Sequence, residues 1–290
     1  MAELLLKGAP VAAWLTEGAA RKAAEFAERA GSAPTLAVIR VGERADDLSY
    51  ERGLLKRAEK AGVEVRVNTL AADCSQAELM AAIEAANADS SVHGILMFRP
   101  LPAGLDEEAA CEAVCPAKDV DCLTSASLAH VFSGKGAGFA PCTAEAVMCL
   151  VNYYDVPLEG ARVTVVGRSL VVGKPVSMML QAKNATVTMC HTKTRDLPER
   201  CREADVLVVA VGHAKAIGAD CVRAGQTVVD VGINWDEEAG KLVGDVDFDA
   251  VEPLVCAISP VPGGVGSLTT AVLMNHVVQA ALAAEACERG

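Results

Sequence analysis

"VTVVGRSLVVGKP", residues 163–175, decides how this chain is read. A β-branched run ends at Gly167, a second glycine follows at Gly173, and Pro175 marks a helix start. A glycine lets the backbone approach a phosphate closely, and a helix N-terminus presents N–H groups to it. Strand, glycine, loop, glycine, helix is therefore the arrangement of a dinucleotide site. The spacing is not GxGxxG, so the stretch alone also fits a plain strand-to-helix turn.

Working outward, "RVTVVG" (162–167), "ATVTMC" (185–190), "DVLVVAVG" (205–212) and "QTVVDVGIN" (226–234) form a series of apolar runs. Such near-continuous runs suit strands covered on both faces. An earlier series reads as strands at 35–41, 64–70 and 94–98. Helices are predicted near 10–30, 46–61 and 75–88, the last opening on a capping box at Ser75. The alternation implies βαβ units and mostly parallel sheets.

The Gly-rich segment 133–145 reads as a crossover, and a final helix is predicted over 268–287. The expected fold is α/β, with an N-terminal α/β catalytic domain and a Rossmann-type dinucleotide-binding domain. The boundaries fall at 1–140 plus 268–290 for the first and 141–267 for the second, with a cleft between them.

Composition narrows the function. Of the 290 residues, 52% are hydrophobic and only 3% aromatic, so the core is built from Ala, Val and Leu. No apolar run reaches the ~18 residues of a membrane span, and the N-terminus does not read as a signal peptide. A formal net charge of -12 argues against nucleic acid as a partner. Eleven cysteines occur without a single CxxC, and most lie inside apolar patterns. They read as small hydrophobes in a reducing cytoplasm, with no metal site expected.

The end of the second-series strand at 185–190 bears on cofactor choice. NAD sites usually carry an acid there, for the ribose hydroxyls. Here "TMCHTKT" offers His191 and Lys193 instead. With Arg168 they suit a 2′-phosphate and favour NADP, although solvated loop residues would look the same and NAD stays possible.

"LSYERGLLKRAEKAG" (48–62) reads as an amphipathic helix carrying Tyr50. Position 54 lies about 40° from Tyr50 around such a helix and position 56 about 120° away. Leu54 is thus placed to share a site with the tyrosine, and Lys56 to face solvent.

Seven segments occur in one order: "PAKDVD" (116–121), "PCTAEAV" (141–147), "VVGRSLVVGKPV" (165–176), "ATVTMCHTKT" (185–194), "VDVGIN" (229–234), "GDVDF" (244–248) and "PVPGGVGSLT" (260–269). On these the sequence resembles the methylenetetrahydrofolate dehydrogenase/cyclohydrolase family. The resemblance implies a homodimer that oxidises 5,10-methylene-tetrahydrofolate with a nicotinamide cofactor. Most members then hydrolyse the methenyl product to 10-formyl-tetrahydrofolate. It also implies a folate site of Tyr50, Asp121, Pro262, Gly263 and Gly264, with Tyr50 and Asp121 catalytic. The implied cofactor site comprises Gly167, Arg168, Ser169, Gly173, His191, Lys193, Thr194, Gly212 and Ile233.

Two family groups are absent. The lysine of the YxxxK pattern is Leu54 here, and the glutamine of "VQLPLP" is Phe98 in "MFRPLP". Cys122 also stands where glycine is usual. Hydride transfer needs alignment of donor and acceptor. Hydrolysis of a methenyl cation also needs a proton carrier, and neither leucine nor phenylalanine is one. The expected function is a dehydrogenase with weak or absent cyclohydrolase activity. The alternatives are a bifunctional enzyme whose acid-base group has moved, with Lys56 the candidate, and a non-catalytic pterin- or nucleotide-binding relative.

Overall fold

The computed structural model describes residues 2–237 and 240–289. The chain divides into two compact units, Met1–Ala12 with Thr143–Thr269 and Ala13–Cys142 with Thr270–Gly290. In chain order the first elements are β1 (Leu4–Leu5), α1 (Gly8–Ala30), β2 (Thr35–Val41), α2 (Ala45–Ala61), β3 (Glu64–Leu70) and α3 (Gln76–Ala88). Next come β4 (Gly94–Met97), α4 (Glu107–Glu112), α5 (Ser125–Ser133), α6 (Cys142–Tyr153), β5 (Arg162–Val166), α7 (Gly173–Gln181) and β6 (Thr186–Cys190). The last are α8 (Leu197–Glu203), β7 (Val206–Val209), β8 (Thr227–Asp230), β9 (Asn234–Asp236), β10 (Lys241–Val243), α9 (Phe248–Val251), β11 (Ala257–Ile258) and α10 (Thr269–Arg289).

In the unit built on residues 13–142, the parallel strands run in the order β3-β2-β4. β2 is buried along its whole length and β3 is the exposed edge. Helix α3 explains its own start: Ser75 Oγ accepts from Glu78 N while Glu78 Oε2 accepts from Ser75 N, at 3.2 and 2.7 Å. Its Leu79 and Ile83 pack on Ile39 and Ile95 of the sheet. Each such side chain contributes about 1.5–3 kcal/mol of burial. Both β2 and β4 point their carboxyl ends at the residues that follow them, Gly42 and Phe98. That end is where open α/β sheets place their ligands.

The other unit holds a six-stranded parallel sheet, ordered β1-β11-β8-β7-β5-β6. The chain leaves β5 for β6 on one side and then crosses to β7 on the other. The strand order therefore reverses at β5, which makes its carboxyl end a topological switch point. Leu207, Val209, Val228 and Ile258 form the core beneath. β1 pairs with β11, Leu4 opposite Ala257, so the first residues extend this sheet.

The structure corrects several bounds. The supposed crossover at 133–145 holds the end of α5 and the first turn of α6. Strand 226–234 stops at Asp230, because the carboxylate there accepts N–H groups from Gly232, Asp245 and Val246 at 3.0, 3.0 and 2.9 Å. Strand 205–212 ends at Val209, ahead of Gly212 with its φ of 75°. No described helix is long and apolar enough to cross a membrane.

Candidate active site

Three polar residues of "PAKDVD" take three different jobs. Lys118 Nζ donates to the carbonyls of Ala86, Asn87 and Asp89 at 3.1, 2.8 and 2.7 Å, closing the end of α3. Asp119 is fully buried and accepts from Leu123 N, Thr124 N, Thr124 Oγ1 and Ser127 Oγ, which shapes the entry to α5. Asp121 is left for a cavity of about 430 Å³, together with Asp46, Tyr50, Phe98 and Arg99.

Within that cavity the rings of Tyr50 and Phe98 meet edge to face, centroids 5.6 Å apart at 80°. Such a contact is worth about 0.5–1.5 kcal/mol beyond burial, and it fixes the tyrosine ring. Tyr50 keeps 41% of its surface exposed. Even so, burial of its phenol, then the charges of Asp121 and Cys142, push its pKa up. Burial likewise pushes the Asp121 carboxyl up, while hydrogen bonds from Cys142 and the charges of Arg99 and His276 pull it back. One of those bonds is Cys142 N to Asp121 Oδ1 at 3.1 Å, which ties the carboxyl to the first turn of α6.

Leu54 departs from the expectation. It is fully buried and does not line the cavity, although it lies one turn from Tyr50. The helix angle was right about the face, but the α2 stripe of Leu54, Ala58 and Ala61 turns into the core. Lys56 is exposed, as its angle implied. Sequence reasoning missed Arg99. The signal was present: the family segment has leucine at that place.

At the switch point, Ala210 N donates to Val166 O at 2.8 Å and Gly167 N to Cys190 O at 2.9 Å. A Cβ on Gly167, whose φ is 137°, would lie 2.2 Å from Ala210 O, and one on Gly173 would lie 2.2 Å from Gly167 O. Only glycine fits either place. The amides of the helix start are not free, contrary to the reading from sequence. Val172 N and Gly173 N donate to Ser169 Oγ at 3.1 and 3.4 Å, and Lys174 N donates to Ser169 O at 3.0 Å. Ser169 thus builds the loop, and an anion would meet the segment before it.

The register pairs Val166 with Cys190, so Arg168 and His191 both follow the ends of adjacent strands. His191 N donates to Thr194 Oγ1 at 2.9 Å and Lys193 N to His191 Nδ1 at 3.1 Å. His191 Nδ1 is therefore an acceptor, which leaves its proton on Nε2. Arg168 and Lys193 are exposed, and no acid stands in the turn between β6 and Thr194. These residues fit a nicotinamide dinucleotide bearing a 2′-phosphate.

A second cavity, about 260 Å³, brings Ile233 together with Pro262, Gly263 and Gly264. Here too the backbone leaves no room: a Cβ on Gly264 would lie 2.5 Å from Pro260 O, and one on Gly266 2.6 Å from Ile233 Cδ1. Asp230 lines this cavity, and burial pushes its carboxyl up to about 7 against the N–H groups that bind it. Tyr50, Phe98 and Asp121 thus come together in one unit, while the residues from Gly167 to Thr194 and the group of Ile233 with Pro262–Gly264 lie in the other.

Known proteins share this architecture. Residues 6–121 match the tetrahydrofolate dehydrogenase/cyclohydrolase catalytic domain, and residues 141–285 its NAD(P)-binding domain. The bifunctional protein FolD of Clostridioides difficile is 49% identical over 276 residues, 95% of this chain and 96% of that protein. The crystal structure of the bifunctional FolD methylenetetrahydrofolate dehydrogenase/cyclohydrolase from Campylobacter jejuni matches with a TM-score of 0.92 and 39% identity, covering 96% of this chain and 98% of that one. The Trypanosoma brucei enzyme, solved with NADP and an inhibitor, has a TM-score of 0.90 and 31% identity over the whole of both chains. On its two matched domains and its near full-length relatives, this chain belongs to the tetrahydrofolate dehydrogenase/cyclohydrolase family.

Proposed function

We propose that this chain oxidises 5,10-methylene-tetrahydrofolate to 5,10-methenyl-tetrahydrofolate with NADP+, and that it hydrolyses the methenyl product little or not at all. The observation that carries the second half is the Tyr50–Phe98 contact: an apolar ring stands in the cavity where the family places a glutamine. Among the described residues no lysine lines that cavity.

In this reading Asp121 holds the amino and ring N–H edge of the pterin, and Tyr50 packs on the ring. The folate nitrogen lone pair expels the hydride, so that step asks the chain only for alignment. When bound, the nicotinamide supplies the hydride acceptor. Gly167, Gly173 and Gly212 allow the cofactor's close approach, with Ser169 holding the loop. Arg168, His191 and Lys193 take the 2′-phosphate, and Thr194 fixes their turn. Ile233 and the Pro262–Gly264 loop supply rigid backbone for a flat ring to lie against, within the 141–267 cofactor domain.

Hydrolysis asks for more. Water must lose a proton as it attacks, and the ring nitrogen must gain one as the adduct opens. Tyr50, its phenol pushed up, does not ionise near neutrality. Arg99 offers N–H donors and no acceptor. Asp46 and Asp47 both pair with Arg44, and Asp121 is committed to the pterin. Without a positioned acid-base group, the rate falls by about 10²–10⁴-fold. A homodimer and a cytoplasmic location belong to the same reading, and sedimentation of the pure protein checks the first.

The relatives are named bifunctional, which keeps a displaced acid-base group as the competing reading. A continuous absorbance assay separates the two. With methylene-tetrahydrofolate and NADP+, we expect methenyl to accumulate in step with NADPH and to decay at the buffer rate. Faster decay with enzyme overturns the cyclohydrolase half, and no NADPH with either NADP+ or NAD+ overturns the whole.

A further inference from the structure

Arg99 lines the cavity that holds Tyr50 and Asp121, and among the described residues it is the one cation there. Its guanidinium carries five N–H donors. Among the described residues it has a single ion pair, a long one of 4.0 Å to Glu107 Oε1, and its side chain is 32% exposed. Glu107 is occupied besides: its Oε2 accepts from Leu101 N at 2.7 Å. Donors are thus left over at the wall of a cavity whose other charges are acids. Of these, Asp46 and Asp47 pair with Arg44, and Asp121 takes the amide of Cys142. The charge of Arg99 is felt at Asp121, where it opposes the effect of burial.

The edge of a pterin presents three groups in a row: the 2-amino group, the ring N3–H and the 4-oxo oxygen. Two donors are followed by an acceptor. A carboxylate satisfies the first two, and the third calls for a donor beside that carboxylate. We propose that Arg99 is a specificity-determining residue that donates to the 4-oxo oxygen of the folate ring. Acid and guanidinium together then read all three groups of the edge. This rests on the folate reading above. The family's leucine cannot make this contact, so this chain would discriminate at a ring position through a group of its own.

The test compares wild type, Arg99→Leu and Arg99→Lys, each checked for an unchanged thermal midpoint. Two readouts are needed: KM for methylene-tetrahydrofolate against KM for NADP+, and calorimetric binding of tetrahydrofolate against its 4-amino counterpart, in which a donor replaces the 4-oxo acceptor and N3 loses its hydrogen. A charge-assisted bond of this kind is worth about 10-fold or more in affinity. Wild type should prefer the 4-oxo ring by at least that factor. Arg99→Leu should raise the folate KM about 10-fold, leave the NADP+ KM within about 2-fold, and narrow the ring preference by about 10-fold, to what Asp121 reads at N3–H. Arg99→Lys should recover part of both. An unchanged folate KM and ring preference in Arg99→Leu, with wild type active, overturns the assignment of Arg99 alone. Failure of wild type to turn over or bind either folate overturns the function and this inference with it.

Discussion

Replacing Leu54 by lysine restores the family's side chain at a place buried from solvent. Leu54 is fully buried on the inner stripe of α2. Neutralising a lysine at pH 7 costs about 4–5 kcal/mol, since its ordinary pKa lies about 3.4 units higher and each unit is worth about 1.4 kcal/mol. Burial shifts of 3–5 units are known, so neutralisation is the cheaper outcome than a buried ammonium. Lost packing of the leucine adds about 1 kcal/mol or more. The expected destabilisation is about 5 kcal/mol, a fall in Tm of roughly 10–20 °C for a chain of this size. Leu54→Met, similar in volume, should lose less than about 1.5 kcal/mol. The pH dependence has a definite sign. The lysine binds its proton in the unfolded chain and not in the folded one, so the deficit shrinks as pH rises from 7 toward 10. Chemical denaturation of the three proteins at pH 7 and pH 9.5 measures both effects. A Leu54→Lys protein as stable as Leu54→Met, with no pH slope, would refute this reasoning. The ammonium would then reach water, and position 54 would open onto the Tyr50 cavity after all.

Two further outcomes follow from the cofactor unit. Gly167→Ala places a Cβ against the Ala210 carbonyl at a φ of 137°, so it should cost about 3 kcal/mol and raise the NADP+ KM while folate affinity holds. Differential scanning calorimetry and a two-substrate kinetic matrix check the two effects; a neutral substitution would mean that the loop is not held as described. Asp205 takes the Arg162 guanidinium and the Arg162 N–H, which hold its carboxyl well below the usual range. A depressed carboxyl stabilises the fold above about pH 4 and loses that effect below it. With the side chain 42% exposed, solvent screening limits the effect, so Asp205→Asn should cost about 1 kcal/mol at pH 7 and clearly less near pH 2. Equal losses at both pH values would show that the carboxylate's charge is not what matters.

Where hydrophobic pattern and local capping agree, the chain could be read directly. Strands 35–41 and 64–70 match β2 and β3 residue for residue, and Ser75 caps α3 as the spacing implied. What escaped depends on partners distant in sequence. β1 and β11 are two residues each, too short for any periodicity to reveal; β1 is held by its pairing with β11 across about 250 residues, and β11 pairs with β8 as well. Asp230 ends β8 through amides contributed partly by residues 245 and 246, and no local signal announces that. The Tyr50 helix shows the same limit at the site. Spacing fixes which face a residue shares, while depth is set by what packs on that face.

That distinction explains why Leu54 and Arg99 were easy to confuse in importance. The replacement at 54 is conspicuous as a lost lysine, yet its side chain lies in the core and can act on the cavity only through what is no longer there. The replacement at 99 changes an apolar residue to a cation that lines the cavity. Taken together, a titrating cation has gone from α2 and a permanently charged one has arrived at the end of β4. An ammonium of lowered pKa can move protons; a guanidinium cannot, but it can hold an acceptor with fixed geometry. The substitutions at 54, 98 and 99 thus act in one direction, away from proton transfer to water and toward holding the ring. Cyclohydrolase activity and ring selectivity should therefore change in opposite senses among relatives that differ at these three positions.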